Sequence, residues 1–396
     1  MTTRSRRRIS LRFPIVLIAW CAVSIGVHGA EAPSDGGLRP EEEHGPAVDL
    51  GDHRLTTMAT PTHRTTKAAM MAAASAGKRQ VVAGERGLII YSDDCGNTWQ
   101  QARVPVSVTL TALTFVDPTR GWAVGHDGVI LATQDAGTTW QKQLDGRVIA
   151  QLALVAAQKA TAADSSNEAA QRALSDAERL VADGAVKPLF AVHFWTPERG
   201  IVVGAYGLAL ITDDAGATWQ WIGDRIPNPM GLHLYGLWAH ENLVYAVGEQ
   251  GLIVRSDDGA RSFQVVPSPY EGSYFGITDS AHEQSADLIV YGLRGHAFLL
   301  SSQSPDFQPL PLGTEAALLS ALPRPANSTM LFDADGQAIE VRGTGRAARA
   351  IGSSPVGPVF GVTPACGPNV VVAGLRGVAV VDSTSMGTVS SSGTKK

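Results

Sequence analysis

A short segment centred on an aspartate occurs four times in the sequence, and a carboxylate is a side chain that could carry catalysis. In each copy a Ser or Thr stands two positions before the aspartate, and a Trp or Phe stands five positions after it. The copies contain Asp94, Gly96 and Trp99; Asp135, Gly137 and Trp140; Asp214, Gly216 and Trp219; and, without a glycine at the equivalent position, Asp258. An active site needs one constellation rather than the same segment repeated. We therefore predict that the aspartate accepts bonds from turn amides, the glycine adopts positive φ, and the tryptophan packs under the sheet.

The rest of the sequence lacks the arrangements that catalysis and cofactor binding usually require. No G-x-S-x-G nucleophile turn is present, and the G-x-x-G turns lack the following Lys-Ser/Thr of a phosphate cradle. The histidines are isolated, as in His193, His233 and His296. Possible metal ligands without tight spacing lie near the N-terminus, at His44, Asp49, Asp52 and His53. We predict no catalytic residue, no metal and no cofactor, although paired carboxylates spaced for glycoside hydrolysis would leave no motif.

Arginines occupy three of seven similar turns. Six turns have the sequence G-x-x-G, and in the sixth copy Asp333 replaces the first glycine. Arg86, Arg294 and Arg376 hold the second variable position of the first, fifth and seventh turns. A guanidinium group binds a carboxylate through two parallel hydrogen bonds. We predict a cationic sector that, with His126 and Tyr206 of the second and third turns, binds a partner; the alternative is that these are ordinary solvated turn residues.

The turns and the aspartate segments belong to one repeat. The first residues of the seven turns lie at 84, 125, 204, 248, 292, 333 and 374, so that successive turns are 41 or 44 residues apart except between the second and third. A period of about 40–45 residues with many short apolar runs is typical of four-stranded propeller blades. We predict an all-β chain that forms a seven-bladed β-propeller. Because the last unit lacks a good outer strand, residues 54–59 are expected to supply it.

The long interval between the second and third turns holds an insertion, residues 147–187, rich in Ala and Leu. Its pattern predicts a helical hairpin over about 148–161 and 167–182, between blades 2 and 3. One interpretation is that its apolar faces pack on each other and on the adjacent blades, since short helices need tertiary burial. The alternative is a partner-binding arm.

The chain ends predict export and unstructured segments. Residues 1–30 carry five arginines and no acid, with an apolar run over 13–27, which indicates a cleaved signal peptide and a periplasmic location; an uncleaved anchor is the alternative. Residues 31–53 are acidic and predict a disordered spacer, residues 54–385 the propeller, and residues 386–396 a flexible tail. Without residues 1–30 the chain has 27 Lys and Arg residues and 37 Asp and Glu residues. This excess of negative charge argues against nucleic-acid binding.

Two cysteines remain once residues 1–30 are removed, Cys95 and Cys366. Cys95 lies in the aspartate segment of the first unit, and Cys366 lies between the first two strands of the seventh. A closed ring makes these units neighbours, so a disulfide across the closure is possible in an oxidising compartment. Two unpaired buried thiols are the alternative.

The repeated S/T-x-D-x-G-x-T-W segment resembles the aspartate box of bacterial neuraminidase repeats. With G-W-A-V-G before the turn and boxes after it, the pattern over about residues 54–385 is similar to the photosystem II assembly and stability factor family of seven-bladed propellers. The resemblance implies a non-catalytic scaffold or assembly factor, expected to be a monomer, that binds a membrane protein or its exposed peptide. Relatives beside resistance-nodulation-division exporters extend this to a transporter-associated accessory protein. The alternative is a glycan-binding or sialidase-like glycoside hydrolase propeller.

Overall fold

The computed structural model describes residues 50–280, 287–301, 307–325, 327–342 and 347–386, and over these the chain forms seven consecutive antiparallel sheets. Blades 1 to 3 contain β1 Met70–Ala76, β2 Arg79–Gly84, β3 Ile89–Ser92, β4 Gln100–Gln101; β5 Leu110–Phe115, β6 Gly121–Gly125, β7 Ile130–Thr133, β8 Gln141–Leu144; β9 Leu189–Phe194, β10 Gly200–Gly204, β11 Ala209–Thr212 and β12 Gln220–Trp221. Blades 4 and 5 contain β13 Leu234–His240, β14 Leu243–Gly248, β15 Ile253–Ser256, β16 Gln264–Val265; β17 Tyr274–Asp279, β18 Leu288–Gly292, β19 Ala297–Leu300 and β20 Phe307–Pro309. Blades 6 and 7 contain β21 Leu318–Arg324, β22 Ser328–Asp333, β23 Gln337–Arg342, β24 Ala347–Ser353; β25 Val359–Pro364, β26 Asn369–Gly374 and β27 Gly377–Asp382.

The first strand of each blade is the innermost, and these seven strands form a closed ring. Each innermost strand contacts that of the next blade, and β1 contacts β25 of the last. At this closure the hydroxyls of Ser75 and Thr363 lie 2.6 Å apart. The predicted all-β, seven-bladed β-propeller is therefore confirmed.

The core lies between the blades rather than inside one sheet. In β2, the consecutive residues Val81, Val82 and Ala83 are all completely buried. Alternate side chains of this strand pack against different neighbours, Val81 and Ala83 with residues of blade 2 and Val82 with residues of blade 7. Because both faces of the strand are covered, the middle strands are continuous apolar runs instead of alternating patterns.

The prediction that residues 54–59 complete the last blade is wrong. Arg54–Thr56 belong to a helix, α1 (Leu50–Thr56), and the sheet of blade 7 has three strands within the described residues. Leu55, 2% exposed, packs into the core between blades 1 and 2, and the amide of Ala59 donates to the carbonyl of Val104. Burial of this leucine fixes the segment over the first two blades. Blade 7 is instead contacted by the residues that follow this segment, Thr65–Lys67, which lie against β27.

The insertion is a helical hairpin, as predicted, formed by α2 (Gly146–Ala163) and α3 (Glu168–Asp183). The Asp145 side chain accepts from the amide of Arg147 and caps α2, while Asn167 caps α3. Both caps follow the preference of helix starts for short side-chain acceptors.

The predicted signal peptide lies outside the described residues, as do nearly all of the spacer and the tail. The last spacer residues, Leu50–His53, are in α1, and Met386, the first residue of the expected tail, is buried. In the described part of the chain, no helix is long and apolar enough to cross a membrane.

Candidate functional site

The aspartate boxes are self-contained hydrogen-bonded turns between the third and fourth strands. In blade 1, the Ser92 hydroxyl donates to Asp94 Oδ1 at 2.8 Å and accepts from the Gly96 amide at 2.8 Å. The Thr98 amide donates to Asp94 Oδ1 at 2.8 Å, and Trp99 Nε1 donates to the Gly96 carbonyl at 3.0 Å. The boxes around Asp135, Asp214 and Asp258 repeat the carboxylate bonds.

These bonds keep the box carboxylates charged. The side-chain and backbone bonds from the Thr or Ser four positions later lower the pKa of Asp94, Asp214 and Asp258. At Asp135, burial raises the pKa, but the same kind of bonds outweigh it and the pKa is lowered. A carboxylate held in this way is a poor proton donor near neutral pH.

Each box also packs on the blade before it. A Cβ added at the box glycine would touch a residue of that blade in three cases, namely Gly96 on Val380, Gly137 on Val81 and Gly216 on Gln143, and in the fourth box a Cβ at Gly259 would touch Arg199. Arg79 of blade 1 further donates to the Ala136 carbonyl and the Thr138 hydroxyl in the box of blade 2. The boxes therefore join neighbouring blades, which is a structural role.

Cys95, in the box of blade 1, is joined by a disulfide to Cys366 of blade 7, and their Cα atoms are 5.5 Å apart. Of the two alternatives that the sequence leaves open, the structure contains the bond. It spans the place where the first and last blades meet.

The seven turns lie on the opposite face from the boxes, because the third strand of a blade begins at its turn and ends at its box. In the first five turns the second variable residue has φ between 50 and 56°, and these residues are Arg86, Asp127, Tyr206, Gln250 and Arg294. In six turns the amide of the first variable residue donates to the carbonyl that precedes its own innermost strand, as Glu85 does to Ala69. We call this side, with its turns and the connections between blades, the turn face.

The three arginines of the predicted cationic sector are exposed on the turn face. Within the described residues, none of Arg86, Arg294 and Arg376 forms an ion pair. Blades 7 and 1 are neighbours, so Arg376 and Arg86 belong to adjacent turns. Arg294 is separated from them by the turn of blade 6, where Asp335 is exposed. The sector is thus interrupted by an exposed carboxylate at the turn of blade 6.

His126 and its neighbour in the turn of blade 2 are covered rather than open. Asp127 is buried and pairs with Arg54 of α1 at 3.2 Å. Burial, and then the charge of Arg54, lowers the pKa of His126. Burial raises the pKa of Asp127, against the opposing effect of Arg54. His126 therefore stays neutral and offers little to an anionic partner.

Tyr206, 59% exposed, belongs to a group of aromatic residues that the sequence reasoning missed. Its amide donates to His233 Nδ1 at 3.0 Å, and the two rings are 4.7 Å apart. The group, which we call the aromatic group, continues from His233 to Phe190, Tyr235 and Phe275. The distances between the centroids of successive rings in this order are 6.0, 5.2 and 5.5 Å. An alignment of the repeats could have revealed this group, because the second residue of the innermost strand is aromatic in blades 3, 4, 5 and 7.

Most exposed apolar side chains also belong to the turn face. Lys187, after the hairpin, lies 4.7 Å from the Tyr206 ring, and Gly128 of the second turn packs on Gly146 at the start of α2. Large apolar residues exposed on the turns and connections of this face, and at the two ends of the hairpin, are Met58, Val148, Val186, Tyr206, Met230 and Leu375. Exposed apolar surface beside charged residues is common at interaction sites.

No group of three or more His, Cys, Asp or Glu side chains suited to a metal ion occurs among the residues that the structure describes. His44 and Asp49 of the possible N-terminal set lie outside those residues.

Seven blades with inter-blade aspartate boxes define the chain as an aspartate-box β-propeller. It matches the model of the family described as photosynthesis system II assembly factor YCF48 over residues 91–157. The comparison with curated proteins found no match.

Solved propellers are similar in fold at low identity. YCF48 bound to D1 peptide has a TM-score of 0.57 and 13% identity, with 80% of this chain and 93% of that chain covered. YCF48 from Cyanidioschyzon merolae has a TM-score of 0.57 and 12% identity, with 82% and 97% covered. The WD40 propeller domain of Doa1 has a TM-score of 0.54 and 10% identity, with 83% and 95% covered. The expected resemblance to YCF48-like propellers is thus confirmed, in sequence over residues 91–157 and in fold over the ring.

Proposed function

We propose that the chain is an exported, non-catalytic propeller that binds an acidic segment of a membrane protein on its turn face. The observation that carries this proposal is the set of exposed turn arginines, Arg86, Arg294 and Arg376, on a chain with more acids than cations. Exposed guanidinium groups without an internal carboxylate are ready to bind one from a partner.

Similarity to YCF48 supports a membrane protein as the partner. One of the similar structures is that of YCF48 bound to D1 peptide. An assembly-factor role for this chain rests on the family model and on this fold likeness. Association with an exporter of the resistance-nodulation-division class is a narrower form of the same proposal.

Export to the periplasm is supported by two features. Residues 1–30 have the charge and apolar pattern of a signal peptide. The disulfide between Cys95 and Cys366 is of a kind that persists in oxidising compartments.

The absence of catalysis in this proposal is supported by the boxes, whose aspartates are fully engaged in their own turns. An assay with fluorogenic sialosides is expected to show no turnover. Cleavage above the rate of a heat-denatured sample would favour the glycoside hydrolase alternative instead.

The experiment that tests binding compares two triple variants that change charge equally. The chain from residue 31 onward is immobilised and exposed to detergent-solubilised membranes, and captured proteins are quantified. Replacing Arg86, Arg294 and Arg376 by Glu is expected to remove a membrane protein captured by the wild type.

The matched control replaces three exposed cations on the side of the boxes by Glu, namely Lys78 between β1 and β2, Arg103, whose backbone pairs with Thr139 of the blade 2 box, and Arg261 in the blade 4 box. This control should retain capture, because its net charge is the same and only the position differs. Equal capture by the two variants, both with wild-type melting temperatures, would refute the turn face as the binding site.

A further inference from the structure

Every innermost strand begins with the same irregularity. In all seven blades the pairing with the second strand skips one residue, so that this residue is an extra one in a β-bulge. The bulge residues, in order of blades, are Met71, Thr111, Phe190, Tyr235, Phe275, Leu319 and Phe360. A bulge repeated at one position re-aims one side chain in each strand.

The residues on either side of this step differ sharply in burial. The residue before each bulge is 0% exposed in every blade, and these residues are Met70, Leu110, Leu189, Leu234, Tyr274, Leu318 and Val359. Six of the seven bulge residues are only half-buried. The exception, Thr111, is buried and donates to the Leu189 carbonyl of the next blade. The first residue of each pair thus fills the core between blades, and the second is left at the rim.

The bulge residues of blades 3, 4 and 5 contact one another. The Phe190 and Tyr235 rings are 5.2 Å apart, and the Tyr235 and Phe275 rings are 5.5 Å apart. The Tyr235 hydroxyl donates to Glu249 of its own turn, which places this ring beside the turns. Since innermost strands surround the axis and begin at the turn face, the bulge residues form a rim around the axis there. We call it the bulge ring.

The bulge ring and the turn arginines offer two kinds of chemistry on one face. Phe190, Tyr235 and Phe275 present apolar ring surface, and Arg376 and Arg294 present positive charge. An aromatic side chain buries well against other rings, and guanidinium groups bind carboxylates. The occupant that matches both is a peptide in which an aromatic side chain lies among acidic ones.

We propose that the bulge ring binds the aromatic side chain of an acidic peptide segment, while the turn arginines bind its carboxylates. This inference rests on the proposed function and adds the residue that the partner segment must contain. Burying an aromatic side chain contributes enough free energy to change affinity roughly tenfold to a hundredfold.

The test uses two fluorescein-labelled peptides of alternating aspartate and serine, with a central phenylalanine or a central alanine. Their binding to the chain from residue 31 onward is measured by fluorescence polarisation. We expect the phenylalanine peptide to bind at least about tenfold more tightly. Equal affinities, or no binding of either peptide, would overturn the inference.

The Phe275→Thr variant locates the effect, because the chain itself holds threonine at the equivalent position, Thr111. It is expected to remove the preference for phenylalanine while leaving the salt-sensitive binding of both peptides. Phe360→Thr repeats the test in blade 7 if the first variant melts early. The control Trp238→Thr removes an aromatic side chain from the far end of β13 and should keep the preference.

A preference that survives both bulge variants overturns the inference. The proposed function fails separately, when the triple arginine variant still captures its membrane partner.

Discussion

Asp145 is a buried carboxylate at the point where blade 2 continues into the helical hairpin. Its Oδ1 accepts from the Arg147 amide, and its Oδ2 accepts from Lys142 Nζ at 3.0 Å and from Arg147 Nη2 at 2.9 Å. Burial raises the pKa of Asp145, but the bonds from Arg147 and Lys142 outweigh it and lower the pKa to about 2. One side chain thus caps a helix and, when charged, also holds two cations.

The Asp145→Asn variant tests this dependence on charge. Asparagine is an equally good helix cap, so the change removes the charge and keeps the cap. A carboxyl with a lowered folded pKa stabilises the protein above its unfolded pKa of about 4, and this contribution is lost as pH falls towards 2. We expect the variant to be less stable at pH 7 by about 1–2 kcal/mol.

The measurement is urea unfolding at several pH values. Between pH 4 and 2, the free energy of unfolding should fall less steeply in the variant than in the wild type. Parallel pH dependences would contradict the assignment of Asp145.

For single residues, the sequence predicted the interactions in which the two partners are close along the chain. The bonds of Asp94 to Thr98 span four residues and recur, so the spacing alone revealed them. The cover over Asp127 comes from Arg54, 73 residues earlier, and no local pattern could indicate it. The repeat predicted the turn face but not which of its residues would be open.

The helical hairpin combines a buried side with an exposed one. Ile149 is 0% exposed and packs with Trp219 and Leu208 of blade 3, whereas Val155 on the same helix is 61% exposed. The interpretation that the insertion packs on the adjacent blades is therefore supported for one side of the hairpin, while the other side is exposed.

Two substitutions in α2 separate packing from exposure. Ile149→Ala should destabilise the chain by about 2–5 kcal/mol, because it leaves a cavity in the core between blades 2 and 3. Val155→Ala should change stability by no more than about 0.5 kcal/mol, because its side chain is mostly in solvent. Chemical denaturation of both variants gives the comparison. Equal effects would show that the hairpin does not dock through Ile149.

Whether an element could be predicted depended on the source of its signal. The hairpin follows from local features, a long Ala- and Leu-rich run without proline and with short polar residues at its breaks. The closing strand at residues 54–59 was inferred from the need to cover an edge and not from alternating apolar residues. In the structure Leu55 is buried from a helix instead, and this depends on a core cluster of blades 1 and 2 that is assembled only in the folded chain. The bulge ring was missed because a bulge changes pairing, which leaves composition and period unaltered.

At the scale of the whole molecule, the ring is closed by side chains and a covalent bond. Ser75 and Thr363 meet between β1 and β25, and the box of blade 1 packs on Val380 of blade 7. The disulfide from Cys95 to Cys366 joins the same two blades over a sequence separation of 271 residues. Each blade buries its core against two neighbours, so a break at this closure exposes both end blades.

Removing the disulfide should therefore lower the stability of the entire ring. The chain-entropy model gives about 5 kcal/mol as an upper value for so long a loop. The double variant Cys95→Ser, Cys366→Ser is expected to melt at a lower temperature than the wild type under non-reducing conditions. In reducing agent the two proteins should differ little, since the wild type then lacks the bond as well.

A count of free thiols in the denatured chain from residue 31 onward checks the bond directly. No thiol is expected before reduction and two after it, because Cys21 lies in the removed segment. Two thiols before reduction, in protein prepared from an oxidising compartment, would show that the ring closes through non-covalent contacts alone. In that case the double variant should have the same melting temperature as the wild type.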